Sequence, residues 1–222
     1  MSIEPTAIDA ELAQYVRDHA GGRDSALRRV EEETAAMGSI QAMQTAPEQA
    51  AFLELLVRLG RGRRAIEIGT FTGYGAIRIA RGLAEGGSLL CCELDPERAE
   101  IARRNVDRAG VGERVEIRVG PAIDSIRALP EEPTFDFAYL DADKTGYPDY
   151  YDALVPRMNP GGLIAIDNVF MGGRINAPDG DEGVRAVQGL NDRIVEDDRV
   201  DSVMLGMADG LTLARVRDRA ED

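Results

Sequence analysis

Ala65-Ile66-Glu67-Ile68-Gly69-Thr70-Phe71-Thr72-Gly73-Tyr74-Gly75-Ala76-Ile77-Arg78-Ile79-Ala80 passes from a short apolar run, through three glycines, into a helical pattern. Glycines at such a junction let the backbone turn sharply and approach a ligand closely. The spacing is G-x-x-x-G-x-G, which is neither the dinucleotide G-x-G-x-x-G nor a phosphate loop ending in Gly-Lys-Ser/Thr. Alone it fits a nucleotide-type ligand or a tight structural turn. Glu93 shifts the balance: it stands 18 positions after Gly75, at the end of the next apolar run. Doubly wound folds hold there a carboxylate that accepts hydrogen bonds from ribose hydroxyls. The pair argues for an adenosine-type ligand without saying which.

Working outward, apolar runs alternate with helical stretches. Strands are expected over Ala65 to Ile68, Leu89 to Glu93, Val115 to Val119, Phe135 to Leu140 and Leu163 to Ile166, then Val200 to Leu205 and Leu211 to Val216. Pro96 to Ala109 reads as a helix with Ala99, Ala102, Val106 and Ala109 on one face. This alternation predicts an α/β fold, a Rossmann-like, doubly wound, mostly parallel seven-stranded sheet with helices on both faces. The last two strands, separated only by Gly206 to Gly210, read as an antiparallel hairpin at one edge. Ahead of this core, Ile8 to Met37 is helical and charged, broken at Gly21-Gly22, with Asp24 or Ser25 as N-cap. Pro47 suits a first helical position, and Phe52, Leu55, Leu56 and Leu59 are expected to form that helix's core stripe. The chain thus reads as one domain over 1–222, an N-terminal helical cap (1–46) and the sheet-bearing core (47–222).

Composition narrows the function. With 222 residues, 44% hydrophobic and 30% charged, the chain can bury a sizeable core. Its net charge of −14 repels a phosphate backbone, so nucleic acid is not an expected partner. The tight basic cluster, Arg61, Arg63 and Arg64, reads as a solvated strand entrance. No run approaches the length of a membrane span, and the acidic start from Met1 to Glu11 lacks a signal peptide's features, so a soluble cytoplasmic protein with no membrane partner is expected. Cys91 and Cys92 are adjacent in a strand, so their side chains point to opposite faces and are read as core, not as a disulfide. The single histidine, His19, leaves little for a His-rich zinc site or a Ser/His/Asp triad and is read as a surface or helix-packing residue.

The strand ends are the informative positions. Ligands of such sheets bind at the carboxyl ends of the strands, and here Glu67-Ile68-Gly69, Glu93, Asp141 and Asp167-Asn168 close four of them. Turn-forming preference explains any one of these residues but explains four less well. Beside Asp141, in Asp141-Ala142-Asp143-Lys144, stands the only lysine among 26 basic residues. An ammonium gives up its proton on desolvation far more readily than a guanidinium, so Lys144 is a candidate general base, with a surface lysine as the competing reading.

Taken in order, Glu67-Ile68-Gly69, the glycine-rich loop with Gly73-Tyr74, Glu93, Gly120-Pro121-Ala122, Asp141-Ala142-Asp143-Lys144 and Asp167-Asn168 resemble class I S-adenosylmethionine-dependent methyltransferases. More narrowly, the chain resembles the cation-dependent O-methyltransferases of the catechol and caffeoyl-coenzyme A type, over roughly Gly38 to Val216. The resemblance implies that Asp141, Asp167 and Asn168 bind a divalent cation, usually Mg²⁺, which suits an all-oxygen ligand set. It implies a donor site of Thr45, Glu67 and Gly69 near the methionine portion, Gly73 and Gly75 in the loop, Glu93 on the ribose and Ala122 near the adenine. Asp141 and Asp143 lie close enough in sequence to contact the donor too. The implied reaction has the cation lower the pKa of a vicinal-diol aromatic, with Lys144 and Asp141 as the catalytic pair at the reacting hydroxyl.

Departures bear on the acceptor. After Asp167-Asn168 the chain reads Val169-Phe170-Met171-Gly172-Gly173, without the polar Asn that plant caffeoyl-coenzyme A enzymes carry near Gly172, and it shows no basic patch for a coenzyme A tail. A small free phenol or catechol is therefore expected over a thioester. The polar segment Gly172 to Gly183, including Asn176-Ala177-Pro178-Asp179, reads as a substrate lid or a plain connection. The family resemblance also implies a homodimer. Two readings compete: a nicotinamide-dependent oxidoreductase, which leaves Asp141, Asp167 and Asn168 unexplained, and a catalytically inactive methyltransferase fold serving as a binding module.

Overall fold

Arg64–Ile68 forms β1, buried beyond its first residue, and the sheet is built outward from it. The computed structural model describes residues 6–177 and 180–218. Ser88–Glu93 (β2), Val115–Val119 (β3), Phe135–Leu140 (β4), Met158–Asp167 (β5), Val200–Leu205 (β6) and Leu211–Val216 (β7) complete one sheet in the order β3-β2-β1-β4-β5-β7-β6. Strands β1 to β5 pair in parallel, whereas β7 runs antiparallel to both β5 and β6. Only β7 is therefore reversed, and the expected mixed sheet with its terminal hairpin is the observed one. The order reverses at β1 and β4, whose carboxyl ends diverge to leave the crevice in which such sheets bind ligands.

Eight α-helices surround the sheet among the described residues: Ala10–Asp18 (α1), Ser25–Ala35 (α2), Pro47–Leu59 (α3), Tyr74–Gly82 (α4), Pro96–Arg108 (α5), Ala122–Arg127 (α6), Tyr147–Leu154 (α7) and Glu182–Glu196 (α8). Because side chains alternate along a strand, each strand feeds two cores. Ala65, Leu89, Cys91, Phe137, Tyr139 and Ala165 pack with residues of α2, α3, α4 and α5. Ile66, Ile68, Leu90, Cys92, Leu140, Ile164 and Ile166 pack with α6, α7 and α8 on the other face. Cys91 and Cys92 fall to opposite cores as free, buried thiols. Asp24, Asp95 and Asp181 cap α2, α5 and α8 by accepting from backbone N–H groups of the first turn, contacts worth about 1 kcal/mol each.

Three expectations are corrected. Leu55 and Leu59 do not face the core; they are 50% and 72% exposed, and α3 buries Gln49, Ala50, Leu53 and Val57 instead. The reason is a close approach of α4: a Cβ on Gly82 would lie 2.6 Å from the Glu54 carbonyl oxygen and 2.9 Å from Val57 Cβ. With Val57 set against Gly82, its helical neighbours Ala50 and Leu53 share the buried face, and Leu55 and Leu59 fall on the other side. β5 begins at Met158 rather than Leu163, taking in Asn159-Pro160-Gly161-Gly162, with a register shift against Phe135 and Phe137. α5 ends at Arg108, with Ala109 as its C-cap. The charged N-terminal stretch is two helices, with Gly22 at φ 73° in the break. His19 is exposed and stacks on Tyr15. No helix among the described residues is long and apolar enough to cross a membrane.

Candidate active site

The carboxyl ends of β1, β2, β4 and β5 open into one cavity of about 820 Å³. Backbone bonds continue the sheet past the strand ends and fix where they point: Gly69 N to Cys92 O (2.9 Å), Gly120 N to Glu93 O (2.9 Å) and Asp141 N to Ile68 O (2.8 Å). Gly69, at φ 89°, is where β1 and β4 meet; a Cβ there would lie 2.0 Å from the Asp141 carbonyl oxygen. Three of the non-glycine residues with left-handed φ, Phe71 (51°), Asn168 (55°) and Ala208 (48°), line this cavity. Backbone strain of this kind gathers where a site dictates the local conformation.

On the β1–β2 side, Glu93 is 6% exposed and already oriented. Its Oε2 accepts from Thr70 N (3.1 Å) and Phe71 N (2.7 Å), and its Oε1 from Asp95 N (3.0 Å). One face of Oε1 is left for a ligand donor. Arg98 lies over the Phe71 ring at 5.6 Å, and both line the cavity. Glu67 is set one layer back. Its Oε1 lies 2.5 Å from where a Cβ on Gly75 would stand, so glycine is required there for close approach. Burial pushes the Glu67 carboxyl up to about 8, and it accepts from the Cys91 thiol at 3.4 Å.

On the β4–β5 side, two carboxylates share the crevice. Asp167, 4% exposed, has Oδ2 bonded by the Tyr139 hydroxyl (2.6 Å) and Oδ1 by Asn168 N (2.6 Å). Burial, and then the charge of Asp141, raise its pKa to about 6. Lys144 Nζ donates to Asp141 Oδ1 (2.9 Å) and to the Tyr147 hydroxyl (2.6 Å). Asp143 accepts from the Tyr150 hydroxyl (2.6 Å) at Oδ1 and from Gly146 N (3.1 Å) at Oδ2. Two carboxylates and the Asn168 amide make an all-oxygen set that fits a hard divalent cation, and a cation there would offset the repulsion that raises Asp167. Among the described residues no group of three or more His, Cys, Asp or Glu side chains is arranged to hold a metal ion, so the set here is two carboxylates with an amide.

Of the residues singled out in the sequence, Thr45, Gly69, Gly75, Glu93, Ala122, Asp141, Asp143, Lys144, Asp167 and Asn168 all line this cavity. Glu67 lies behind Gly75, and Gly73 packs against Ala102 of α5, so neither is in the wall. Of the Gly172 to Gly183 segment, Pro178 and Asp179 lie outside the described residues. The rest is tied down by Gly172 N to Asp209 Oδ1 (2.8 Å) and by an Arg174–Asp181 ion pair at 2.7 Å. Sequence reasoning missed Gln49, Tyr139, Tyr147, Tyr150 and Asp209. Tyr139 is two positions before Asp141, which in a strand means the same face, and Tyr147 is three positions after Lys144, which in a helical turn means a neighbour.

The chain matches the model of a family described as O-methyltransferase over residues 17–217. A catechol O-methyltransferase of Niastella koreensis is 36% identical over 211 residues, covering 91% of this chain and 95% of that protein. A probable caffeoyl-CoA O-methyltransferase of Dictyostelium discoideum is 36% identical over 176 residues, covering 77% of this chain and 76% of that one. Among solved structures, an O-methyltransferase from Bacillus cereus in complex with SAH superposes with a TM-score of 0.86 at 35% identity, covering 93% of this chain and 97% of that one.

Proposed function

This chain belongs to the O-methyltransferase family, and on that premise we propose that it moves the methyl group of S-adenosylmethionine onto one hydroxyl of a vicinal-diol aromatic, using a divalent cation held by Asp141, Asp167 and Asn168. The observation that carries the reading is the union, in one cavity, of two carboxylates and an amide at the neighbouring ends of β4 and β5 with the oriented carboxylate of Glu93 at the end of β2. When bound, the donor supplies an electrophilic sulfonium methyl and the cation, Mg²⁺ by its ligand chemistry, supplies a Lewis acid that lowers the acceptor hydroxyl's pKa.

The chain's own residues do the rest. Glu93 receives the ribose hydroxyls without having to reorganise, because three backbone N–H groups hold it in advance. Ala122 flanks the adenine, Thr45 and Gly69 flank the methionine portion, and Asp143 faces the donor in an orientation fixed by Tyr150. Lys144 Nζ is the group that takes the acceptor hydroxyl's proton. Its position between Asp141 Oδ1 and the Tyr147 hydroxyl brings that nitrogen to the cation side of the cavity. Holding both reactants in one enclosed crevice converts a bimolecular encounter into an oriented step. Among the described residues, Arg98 and Lys144 are the cations of the cavity wall, and Arg98 is on the β2 side. Lys144 is thus the wall cation at the acceptor end, too little for a coenzyme A phosphate tail, which favours a small free catechol.

The test is transfer from labelled S-adenosylmethionine to catechol, caffeic acid and caffeoyl-coenzyme A, with Mg²⁺ and with a chelator. Transfer to the free catechols that disappears on chelation is expected. Transfer indifferent to chelation would overturn the cation assignment, and transfer confined to the thioester would overturn the choice of acceptor.

A further inference from the structure

Two residues of the cavity wall, Thr72 and Tyr74, have their hydroxyls engaged away from the cavity, on α2. Thr72 Oγ1 lies 2.9 Å from Thr34 Oγ1, and the Tyr74 hydroxyl donates to Glu31 Oε1 at 2.6 Å. Thr34 and Thr72 are 2% and 1% exposed, so each is the other's buried partner. Thr72 is also held from α5, its carbonyl accepting from the buried Asn105 amide at 2.9 Å. Around this pair, Arg78 reaches from α4 to the Gly21 carbonyl (2.9 Å) and to Glu54 (3.0 Å). Arg81 pairs with Asp24 (2.8 Å) and Arg108 with Glu33 (2.7 Å).

The same helix leads to the rest of the wall. Past α2 the chain makes a 3-10 turn over Gly38–Met43 and meets the cavity again from Ala42 to Ala46. There it closes on the glycine-rich loop, since a Cβ on Gly75 would stand 3.4 Å from Thr45 Oγ1. Loop, hydroxyl pair, helix and covering segment form a closed circuit. A loop with glycines at 69, 73 and 75 is costly to order, because glycine loses more backbone freedom than any other residue. A ligand that had to order it would bind correspondingly more weakly.

We propose that α2 is a strut of the donor site, and that Thr34, which touches no ligand, is a positioning residue that holds the glycine-rich loop in its donor-binding form through Thr72. This rests on the donor reading given above. The test is the dissociation constant of S-adenosylhomocysteine by calorimetry, beside steady-state kinetics, for the wild type, Thr34→Val and Thr34→Ser. Thr34→Val keeps the shape and removes one buried hydrogen bond, so affinity for S-adenosylhomocysteine should fall about five- to tenfold and donor KM should rise by the same factor. kcat at saturating donor and acceptor KM should not move, and Thr34→Ser should restore the affinity. Should Thr34→Val fail to fold, Glu31→Ala, which removes the acceptor of the Tyr74 hydroxyl, tests the second link, with the same split between donor KM and kcat. Thr34→Val binding as tightly as wild type, or losing kcat along with affinity, would overturn the strut while leaving the donor site standing. Wild-type protein that binds no S-adenosylhomocysteine would overturn the donor reading and the strut with it.

Discussion

The β1–β2 side of the cavity and the β4–β5 side are built from similar residues and are left in opposite states. Around Glu93 and Thr72, polar groups are matched within the protein: three backbone N–H groups converge on one carboxylate, and the hydroxyls of Thr72 and Tyr74 are engaged by α2. Around Asp167, two carboxylates face one crevice, one pushed up to about 6 by burial and its neighbour's charge, with Asn168 strained at φ 55°. The first arrangement suits a ligand recognised by shape and hydrogen bonds, because nothing has to move to receive it. In the second, Asp141 still repels the buried Asp167 despite the Lys144 contact, a repulsion that a bound cation would relieve. One sheet can therefore prepare two binding regimes side by side, one with a single acid held by backbone N–H groups, the other with two bonded acids brought close enough to repel each other.

If the two sides are separate devices, their variants should separate too. The largest effect is expected from Lys144→Met, which should lower turnover by about 10²- to 10⁴-fold, the usual worth of a positioned base. Calorimetry should show S-adenosylhomocysteine binding unchanged, and a parallel loss of that affinity would break the division. Next, Glu93→Ala should weaken S-adenosylhomocysteine about 10- to 100-fold, the worth of hydrogen bonds to a charged group, with kcat near wild type once donor is saturating. Smallest is the effect of Glu67→Gln, which belongs to neither device. The folded-state pKa of Glu67, about 8, lies above the ordinary 4.5, so the native protein holds a proton that the unfolded chain releases. Stability from this group is complete below about 4.5 and is lost as pH rises through about 8. Denaturant titrations at pH 5 and pH 9 should show wild type losing more stability than Glu67→Gln, and equal losses would mean that Glu67 is ionised in the native state.

The parts legible in the sequence were those with a short-range signal. Strand, glycine turn and helix follow one another within Ala65 to Ala80, and the acids at four strand ends are fixed by topology alone once the sheet is parallel. The residues that tune those acids were not legible in the same way. Tyr139 in Phe135-Asp136-Phe137-Ala138-Tyr139-Leu140 reads as core, and its ring is core; only the three-dimensional meeting with Asp167 gives its hydroxyl a role. Gln49 reads as the polar side of α3 because the periodicity offered two faces. The choice between them was decided by α4, whose Gly82 admits Val57 at close range and so sets the rotation of α3 that leaves Leu55 and Leu59 outside. Likewise the link from Thr34 to Thr72 spans 38 positions, and nothing in either neighbourhood announces it.

The other 25 basic residues are arginine, so the only ε-amine in the sequence projects from the wall of the cavity, with its side chain 23% exposed and bonded to Asp141. Acylating metabolites that scatter over the surface lysines of most proteins meet here a surface of guanidinium groups, which stay protonated and are not acylated in the same way. Spontaneous damage of that kind can fall on one ε-amine only, the one in the cavity. The same economy simplifies labelling: among side chains, an amine-directed reporter on this molecule would have a single known place to sit, with the α-amine as its competitor.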